Sequence, residues 1–225
     1  MAEPASGRGE LAIQSFTGGS FGQNTLLVVC PRTSAAILVD PGAATPQALR
    51  SARAGEYQIE QIVLTHAHVD HVEGVAEAKR ATGARILLHP EDQPLYNVAP
   101  QQAEWFGMQL DALPPVDGSL AAGEAVRFGE CEMEVRFTPG HAPGHVILVG
   151  DGVAIVGDCV FAGSIGRTDL PGGDLRQLMN SIRTQILTLP DATTLIPGHG
   201  PETTVGHERV SNPFLVPQFG GSAFA

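Results

Sequence analysis

Short apolar runs separated by turn residues predict a mixed α/β protein. Strands are expected at 11–16, 25–30, 35–39, 59–64 and 85–88, and again at 125–128, 132–137, 146–149, 153–156 and 193–196. Apolar residues at helical spacing predict helices from Thr45, over 69–81, from Pro90 and over 174–189. Strands and helices therefore come twice in the same order. This order favours two βα halves whose sheets pack face to face, with the helices outside.

Two stretches are predicted to lack regular structure. Residues 97–118 contain Pro100, Pro114 and Pro115 and are expected to form an irregular connection. It is either a flap over a pocket or a crossover between the two halves. From Pro201 onward the chain is polar and then rich in proline and glycine, which predicts an extended surface segment.

Composition indicates a soluble globular protein, and we expect residues 1–225 to form a single domain. The chain has 225 residues, of which 43% are hydrophobic and 16% charged. A net charge of −11 argues against a nucleic acid as partner, and no window approaches the roughly twenty apolar residues of a membrane span. The first ten residues contain no apolar segment of a secretory signal. Three widely spaced cysteines form no disulfide pattern, so we expect a cytoplasmic protein of undetermined oligomeric state.

Candidate metal ligands are concentrated directly after the strand predicted at 59–64. His66, His68, Asp70 and His71 fall within six consecutive residues, and imidazole and carboxylate suit zinc, iron or manganese. Residues two apart in an extended chain point the same way, so His66 and His68 are expected to face one place. Asp70 and His71 would begin the following helix. The ligand density predicts a metal site for two neighbouring ions rather than a solvated turn.

Three more residues follow apolar strands in loops bounded by glycine or proline: His141, Asp158 and His199. Glycine and proline there let the backbone approach a small cluster closely. A single histidine after a strand is more often structural, but three such placements beside the 66–71 stretch indicate ligands.

Together these motifs resemble the metallo-β-lactamase-fold superfamily and, within it, the glyoxalase II-like (hydroxyacylglutathione hydrolase-like) hydrolases. The resemblance runs from about residue 16 to 215. It is carried by His66-Ala67-His68-Val69-Asp70-His71, Thr138-Pro139-Gly140-His141, Gly157-Asp158, Pro197-Gly198-His199-Gly200 and the segment 161–174. It implies a four-layer αββα sandwich with metal ions at one edge of the two sheets.

The resemblance also implies a role for each candidate residue. One metal would be held by His66, His68 and His141, the other by Asp70, His71 and His199, with Asp158 bridging the two. The two divalent ions are expected to be zinc, with iron or manganese as alternatives. Asp40 would accept a hydrogen bond from a ligand histidine, although its Asp-Pro-Gly context equally suits a turn former. His89, His145 and His207 match no ligand position and are expected to be structural or at the surface.

The activity that the resemblance implies is hydrolysis of a thioester such as a hydroxyacyl-glutathione. Two metals roughly 3.5–4 Å apart can share a hydroxide at neutral pH, which makes Asp70 and Asp158 the expected catalytic residues. No G-x-S-x-G motif occurs between a predicted strand and a predicted helix, the context that would indicate a serine nucleophile instead. Glyoxalase II proper has a further C-terminal helical region without a counterpart here, so the acyl group and thiol carrier stay open. Arg167 is expected either to contact an anionic substrate group or to pair with an acidic neighbour.

Other activities of the same superfamily remain as alternatives. A persulfide dioxygenase would use one iron held by His66, His141 and Asp158, and a lactonase would keep all seven ligands. A tRNA-processing ribonuclease is disfavoured by the net charge, and a true β-lactamase by the carboxylate at Asp158. A metal-stabilised binding module without catalysis would not need the full ligand set.

Overall fold

A computed structural model describes residues 10–216. Two predictions concern residues outside that range: the absence of a leader and the last part of the C-terminal segment. Each half of the chain builds one six-stranded sheet. The first half contains β1 (Ala12–Gly18), β2 (Gln23–Val29), β3 (Ala35–Val39), α1 (Thr45–Ala54), β4 (Gln58–Val63), α2 (Val69–Val72), α3 (Val75–Thr82), β5 (Arg85–Leu88), a 3-10 turn (Pro90–Asp92), α4 (Gln93–Trp105) and β6 (Gly118–Ser119).

The second half has the same alternation of strands followed by helices. It contains β7 (Ala125–Phe128), β8 (Cys131–Phe137), β9 (Val146–Gly150), β10 (Val153–Gly157), β11 (Val160–Phe161), β12 (Ser164–Ile165), α5 (Leu175–Ser181), a π-helical turn (Ile182–Ile186), β13 (Thr194–Pro197), β14 (Thr203–Thr204) and α6 (Val205–Ser211). Its sheet has the order β14-β13-β10-β9-β8-β7, and β11 and β12 form a separate small hairpin.

The two sheets pack face to face around the main hydrophobic core. Ile37 and Val39 of the first sheet contribute to the same buried cluster as Phe128, Met133 and Leu148 of the second. Helices of the first half cover the outer face of their own sheet in a second cluster, and α5 covers the other sheet in a third. Strand β2 is buried along its whole length because both of its faces are covered. The predicted αββα sandwich is confirmed.

Strand direction brings the candidate ligand loops to one edge. β3, β4 and β5 run parallel, and so do β10 and β13. β8 shares the direction of β10, because both are antiparallel to β9 between them. The carboxyl ends of parallel strands lie at the same edge of a sheet, so the loops that follow β4, β8, β10 and β13 can meet there.

The single helix predicted over 69–81 is wrong, because the chain breaks it into α2 and α3 at Gly74. The backbone N–H of Gly74 donates to the carbonyl of Pro41 at 2.7 Å instead of continuing the helix. A Cβ at Gly74 would lie 2.6 Å from the carbonyl oxygen of Gly42. The close approach of the turn after β3 to this helix therefore requires glycine and interrupts the helix there.

Two predictions of irregular structure are also wrong in part. Helix α4 runs through Pro100 to Trp105, since Leu95, Tyr96 and Ala99 bury one face in the second hydrophobic cluster; only the segment after it is irregular. The stretch after Pro201 forms β14 and α6 rather than an extended segment, with Thr204 capping α6 by accepting a hydrogen bond from the N–H of His207. None of the helices between residues 10 and 216 is long and apolar enough to cross a membrane.

Candidate metal centre

The seven predicted ligand residues lie together at the edge where the two sheets meet. They are His66, His68, Asp70 and His71 after β4, His141 after β8, Asp158 after β10 and His199 after β13. All are buried except His199, whose side chain is 24% exposed. Their donor atoms fall into two groups of three, with Asp158 between them.

The first group consists of His66, His68 and His141, whose ligand atoms lie within 4.8 Å of one another. Nδ1 of His68 is 2.8 Å from Nε2 of His141. The rings of His66 and His68 meet edge to face, with centroids 4.8 Å apart. Alternate residues of the extended 66–68 segment thus face one place, as the spacing predicts.

The second group consists of Asp70, His71 and His199. Nε2 of His199 lies 3.2 Å from Oδ2 of Asp70 and 3.4 Å from Nε2 of His71. Asp70 and His71 are in the first turn of α2, and His199 reaches them from the loop after β13 of the other sheet. This group therefore needs both halves of the chain.

Asp158 lies between the two groups. Its Oδ2 is 3.5 Å from Nε2 of His141 and 3.4 Å from Nε2 of His199. Its Oδ1 is 3.4 Å from Nε2 of His71. One carboxylate thus faces donors of both groups, which is the position that a bridging ligand needs.

Three of the histidines are oriented by an acceptor on the far side of the ring. Each of these Nδ1 atoms faces an oxygen, which places the Nε2 lone pair inside the cluster. The pairs are His71 with Oδ2 of Asp40 at 3.0 Å, His141 with the carbonyl of Arg167 at 2.7 Å, and His199 with the carbonyl of Phe21 at 3.0 Å.

Asp40 connects histidines of both groups. It is 2% exposed, and it accepts hydrogen bonds from the backbone N–H and the hydroxyl of Thr65 at 2.7 and 2.6 Å as well as from His71. The Thr65 hydroxyl oxygen in turn lies 3.0 Å from Nδ1 of His66. Asp40 also adopts a left-handed conformation, with φ +47°, so it forms the turn as well. Asp40 thus does both things that were expected of it: it accepts a hydrogen bond from a histidine of the cluster, and it forms the turn.

Unpaired buried atoms indicate that the cluster suits a cation. Nε2 of His66, Nε2 of His68 and Oδ1 of Asp158 are buried without a hydrogen-bond partner among the described residues. Burying polar atoms in this way costs several kcal/mol unless a ligand takes them. Metal ions accept lone pairs from this donor set, so the residues present fit divalent metals.

Protonation within the cluster follows burial and charge. Burial, together with the neighbouring His71, holds the pKa of His66 well below its ordinary value, and burial lowers the pKa of His68 to about 3. Burial opposes ionisation of Asp158, but the charge of His71 outweighs it and holds the Asp158 pKa well below its ordinary value. His66 and His68 are thus neutral and Asp158 is ionised, which are the forms that bind metals. The neighbouring carboxylates outweigh burial and raise the pKa of His71 well above its ordinary value and that of His199 to about 10, so these two imidazoles would release a proton on binding an ion.

The sequence alone did not single out four side chains that hold the ligand loops. Asp92 is fully buried and accepts hydrogen bonds from the N–H groups of Ala67 and Gly144, which tie the loops after β4 and β8 together. The amide oxygen of Gln102 accepts from the N–H of Val69 at 3.2 Å. No spacing signal marks these contacts, because the 3-10 turn and α4 bring the two side chains in from a distant part of the chain.

The other two are Asn24 and His145. Nδ2 of Asn24 donates to the carbonyls of Pro197 and Gly200, on either side of His199, at 3.0 and 2.9 Å. His145, expected to be structural or at the surface, is fully buried, and its Nε2 accepts from the N–H of Asp158 at 3.1 Å. The sequence feature that could have indicated this contact is the position of His145, four residues after His141 in a tight loop.

A small cavity of about 120 Å³ opens onto the cluster. His68, Asp70, His141, Asp158 and His199 form its inner end. Arg167 also lines it, but its guanidinium makes two hydrogen bonds of 2.7 and 2.8 Å to the carboxylate of Asp169. Of the two roles expected for Arg167, the structure shows the acidic pair.

Comparisons with known proteins agree with this geometry. The sequence model of the metallo-beta-lactamase superfamily matches residues 18–199. Hydroxyacylglutathione hydrolase GloC of Haemophilus influenzae is 37% identical over 200 residues, which are 87% of this chain and 94% of that protein.

Two solved structures are similar throughout. The crystal structure of TTHA1623 in a di-iron-bound form is 38% identical, with a TM-score of 0.81 over 90% of this chain and 100% of that one. The crystal structure of BLEG-1 B3 metallo-beta-lactamase is 31% identical, with a TM-score of 0.82 over 91% of this chain and 100% of that one.

Proposed function

The chain belongs to the metallo-beta-lactamase superfamily, and from this premise we propose that it is a binuclear metal-dependent hydrolase that cleaves a thioester such as a hydroxyacyl-glutathione. One observation carries the proposal: the carboxylate of Asp158 faces donors of both groups, at 3.4–3.5 Å. The similarity to a hydroxyacylglutathione hydrolase supports a thioester as substrate.

The donor geometry supports one set of three residues for each of two ions, with Asp158 shared between them. His66, His68 and His141 would hold the first ion, Asp70, His71 and His199 the second, and Asp158 would contact both. When bound, such ions lower the pKa of water and polarise a carbonyl group. Zinc is our first expectation, and iron the alternative that the di-iron-bound neighbour supports.

Residues of the chain would orient the attacking water and the rings of the candidate ligands. Asp158 and Asp70 present carboxylate oxygens to the cavity, where they can accept hydrogen bonds from an attacking water. Asp40 fixes the ring of His71 from behind, and the carbonyl of Arg167 does the same for His141. A thiolate leaves without strong assistance from an acid, so a thioester suits a site whose ionisable groups are mostly ligands.

Replacing Asp158 tests the proposal. In Asp158→Ala we expect metal content below one ion per chain and a loss in kcat of more than about 100-fold, because the shared ligand is gone. Elemental analysis and a thioester assay on the same preparation measure both. Asp111→Ala is the matched control, since that carboxylate pairs with Arg80 on the surface. Turnover of Asp158→Ala close to that of the control would contradict the bridged site.

A single-iron sulfur oxygenase is the second candidate. His66, His141 and Asp158 supply the two imidazoles and one carboxylate that a mononuclear iron site uses. One iron per chain, with oxygen uptake on addition of a persulfide and no thioester turnover, would replace the hydrolase proposal. A lactonase would keep two ions and cleave a lactone faster than any thioester.

A further inference from the structure

The cavity at the metal centre has a polar inner end and apolar walls. Outside the donor residues, its walls are formed by Phe21, Val69, Phe106 and Leu170, with Gln102 and Arg167 as the polar members. Whatever is attached to a scissile carbonyl at the inner end must therefore lie against hydrocarbon and aromatic surface.

Two aromatic side chains form one apolar wall of the cavity. Phe21 comes from the turn between β1 and β2, and Phe106 follows directly on α4. Their rings meet edge to face, with centroids 5.2 Å apart and an interplanar angle of 88°. Both remain partly open to solvent, at 38% and 46% exposure. Two phenylalanines held from different elements leave apolar surface exposed that a ligand can cover.

The polar wall residues have other partners. The amide oxygen of Gln102 accepts from the N–H of Val69. Arg167 is the only lysine or arginine among the described residues that line the cavity, and Asp169 neutralises it through two hydrogen bonds. A net charge of −11 adds no attraction for an anionic group. Charge recognition is thus a poor basis for selectivity here.

The size of the cavity limits what can enter. A dry cavity of about 150 Å³ holds a benzene-sized molecule, so about 120 Å³ accommodates a somewhat smaller group. A short acyl chain fits this limit, whereas a peptide-sized thiol carrier would have to remain at the open side.

We propose that this cavity selects thioesters with a short apolar acyl group, of about four carbons, packed between the scissile carbonyl and the Phe21–Phe106 pair. The inference rests on the proposed thioester hydrolysis and adds the chemistry of the acyl group. The two phenylalanines would be specificity-determining residues, because their side chains would line the acyl chain, whereas the contact of Phe21 with the candidate ligand His199 is made by its backbone carbonyl.

Two isosteric substrates test the acyl preference on the metal-loaded protein. S-butanoylglutathione and S-(3-hydroxypropanoyl)glutathione differ only by a methyl group in place of a hydroxyl at the end of the acyl chain, away from the carboxylates of the inner end. We expect kcat/KM to be at least about 10-fold higher for the methyl compound, because the apolar walls leave this terminal hydroxyl without a partner. In Phe106→Ala, kcat/KM for the methyl compound should fall about 10-fold and that for the hydroxyl compound less than about 3-fold.

Two further variants make the result specific. Phe106→Leu keeps an apolar wall and should restore most of the preference. Trp105→Ala is the matched control, because this neighbouring aromatic residue is 67% exposed and does not line the cavity; its substrate ratio should equal that of the parent.

The outcomes separate the two proposals. Turnover of both thioesters at equal kcat/KM, or a parent ratio retained in Phe106→Ala, would overturn the acyl preference and leave thioester hydrolysis standing. No turnover of either thioester by the metal-loaded parent would overturn the hydrolysis of acyl-glutathione thioesters, and the acyl preference with it.

Discussion

The two halves of the chain supply metal donors in different ways. The first half places its donors in one continuous stretch, His66 to His71, and buried side chains of Asp40, Asp92 and Gln102 hold that stretch. The second half supplies each donor from a separate loop. Two of its histidines are oriented by backbone carbonyls, those of Arg167 and Phe21.

This difference teaches which contacts a substitution can remove. A side-chain acceptor in the first half can be deleted without altering the backbone, whereas a carbonyl acceptor cannot. The second half depends more on close backbone approach: a Cβ at Gly198 would collide with Oδ1 of Asp158 and with the ring of His71. The loop that carries His199 can therefore reach the cluster only with glycine before the ligand.

Removing Asp40 should give the largest effect of a residue that is not itself a ligand. Asp40→Ala leaves the N–H and hydroxyl of Thr65 and Nδ1 of His71 without their acceptor in a buried position. We expect a loss of about 4 kcal/mol in the free energy of unfolding. Affinity for both metals should fall about 10- to 100-fold, since His66 and His71 belong to different groups. Denaturant unfolding and competitive metal titration measure these losses.

Asp40→Asn is the matched variant for this test. Asparagine keeps one acceptor oxygen and tolerates the left-handed backbone at φ +47°, so it should lose clearly less than the alanine variant in both measurements. Parent-like metal affinity in Asp40→Ala would show that the far-side contact to His71 is dispensable.

The convergence of the candidate ligands could be predicted from sequence because each lies in a short local pattern. His66 and His68 alternate along an extended segment, Asp70 and His71 begin the next helix, and His141, Asp158 and His199 each follow a strand and a glycine. Local patterns of this kind survive without knowledge of the fold. The alternation of apolar runs likewise predicted the sandwich, since strand burial depends on the same residues.

The parts that could not be predicted depend on contacts between distant segments. Helix α3 begins at Val75 because Gly74 meets the Pro41–Gly42 turn, and nothing in residues 69–81 shows that neighbour. Helix α6 contains the buried Glu208, which accepts hydrogen bonds from Gly163 and Thr203. The sequence does not show that Glu208 has these partners, so the polar stretch that contains it was predicted to be extended at the surface.

Asp92 accepts hydrogen bonds from both halves of the chain, from Ala67 and from Gly144. Its titration therefore tests a contact that joins the two halves. Burial raises the pKa of Asp92 from 3.8 to about 6, even though two backbone N–H groups oppose the rise. Because the folded pKa exceeds the unfolded one, the contribution of Asp92 to stability is fully present below pH 4 and is lost as pH rises through about 6. Two pKa units correspond to about 3 kcal/mol.

The comparison with Asp92→Asn isolates this contribution. The free energy of unfolding of the variant relative to the parent should shift in the variant's favour by up to about 3 kcal/mol between pH 4 and pH 7. Urea unfolding of both proteins, stripped of metal by a chelator, measures the difference. A difference that stays constant over this range would mean that Asp92 titrates normally despite its burial.

Asn24 offers the smallest and most selective perturbation. Asn24→Ala removes the donors to the carbonyls of Pro197 and Gly200, which flank His199, and should cost about 2 kcal/mol of unfolding free energy. Because only the loop of the second half loosens, affinity for one of two bound ions should fall about 10-fold while affinity for the other is unchanged, as stepwise metal titration would resolve.

Thr17→Ala, which removes only the hydroxyl that donates to Oδ1 of Asn24, is the control and should retain both affinities. Equal weakening of both ions in Asn24→Ala would mean that the two halves do not hold their donors independently.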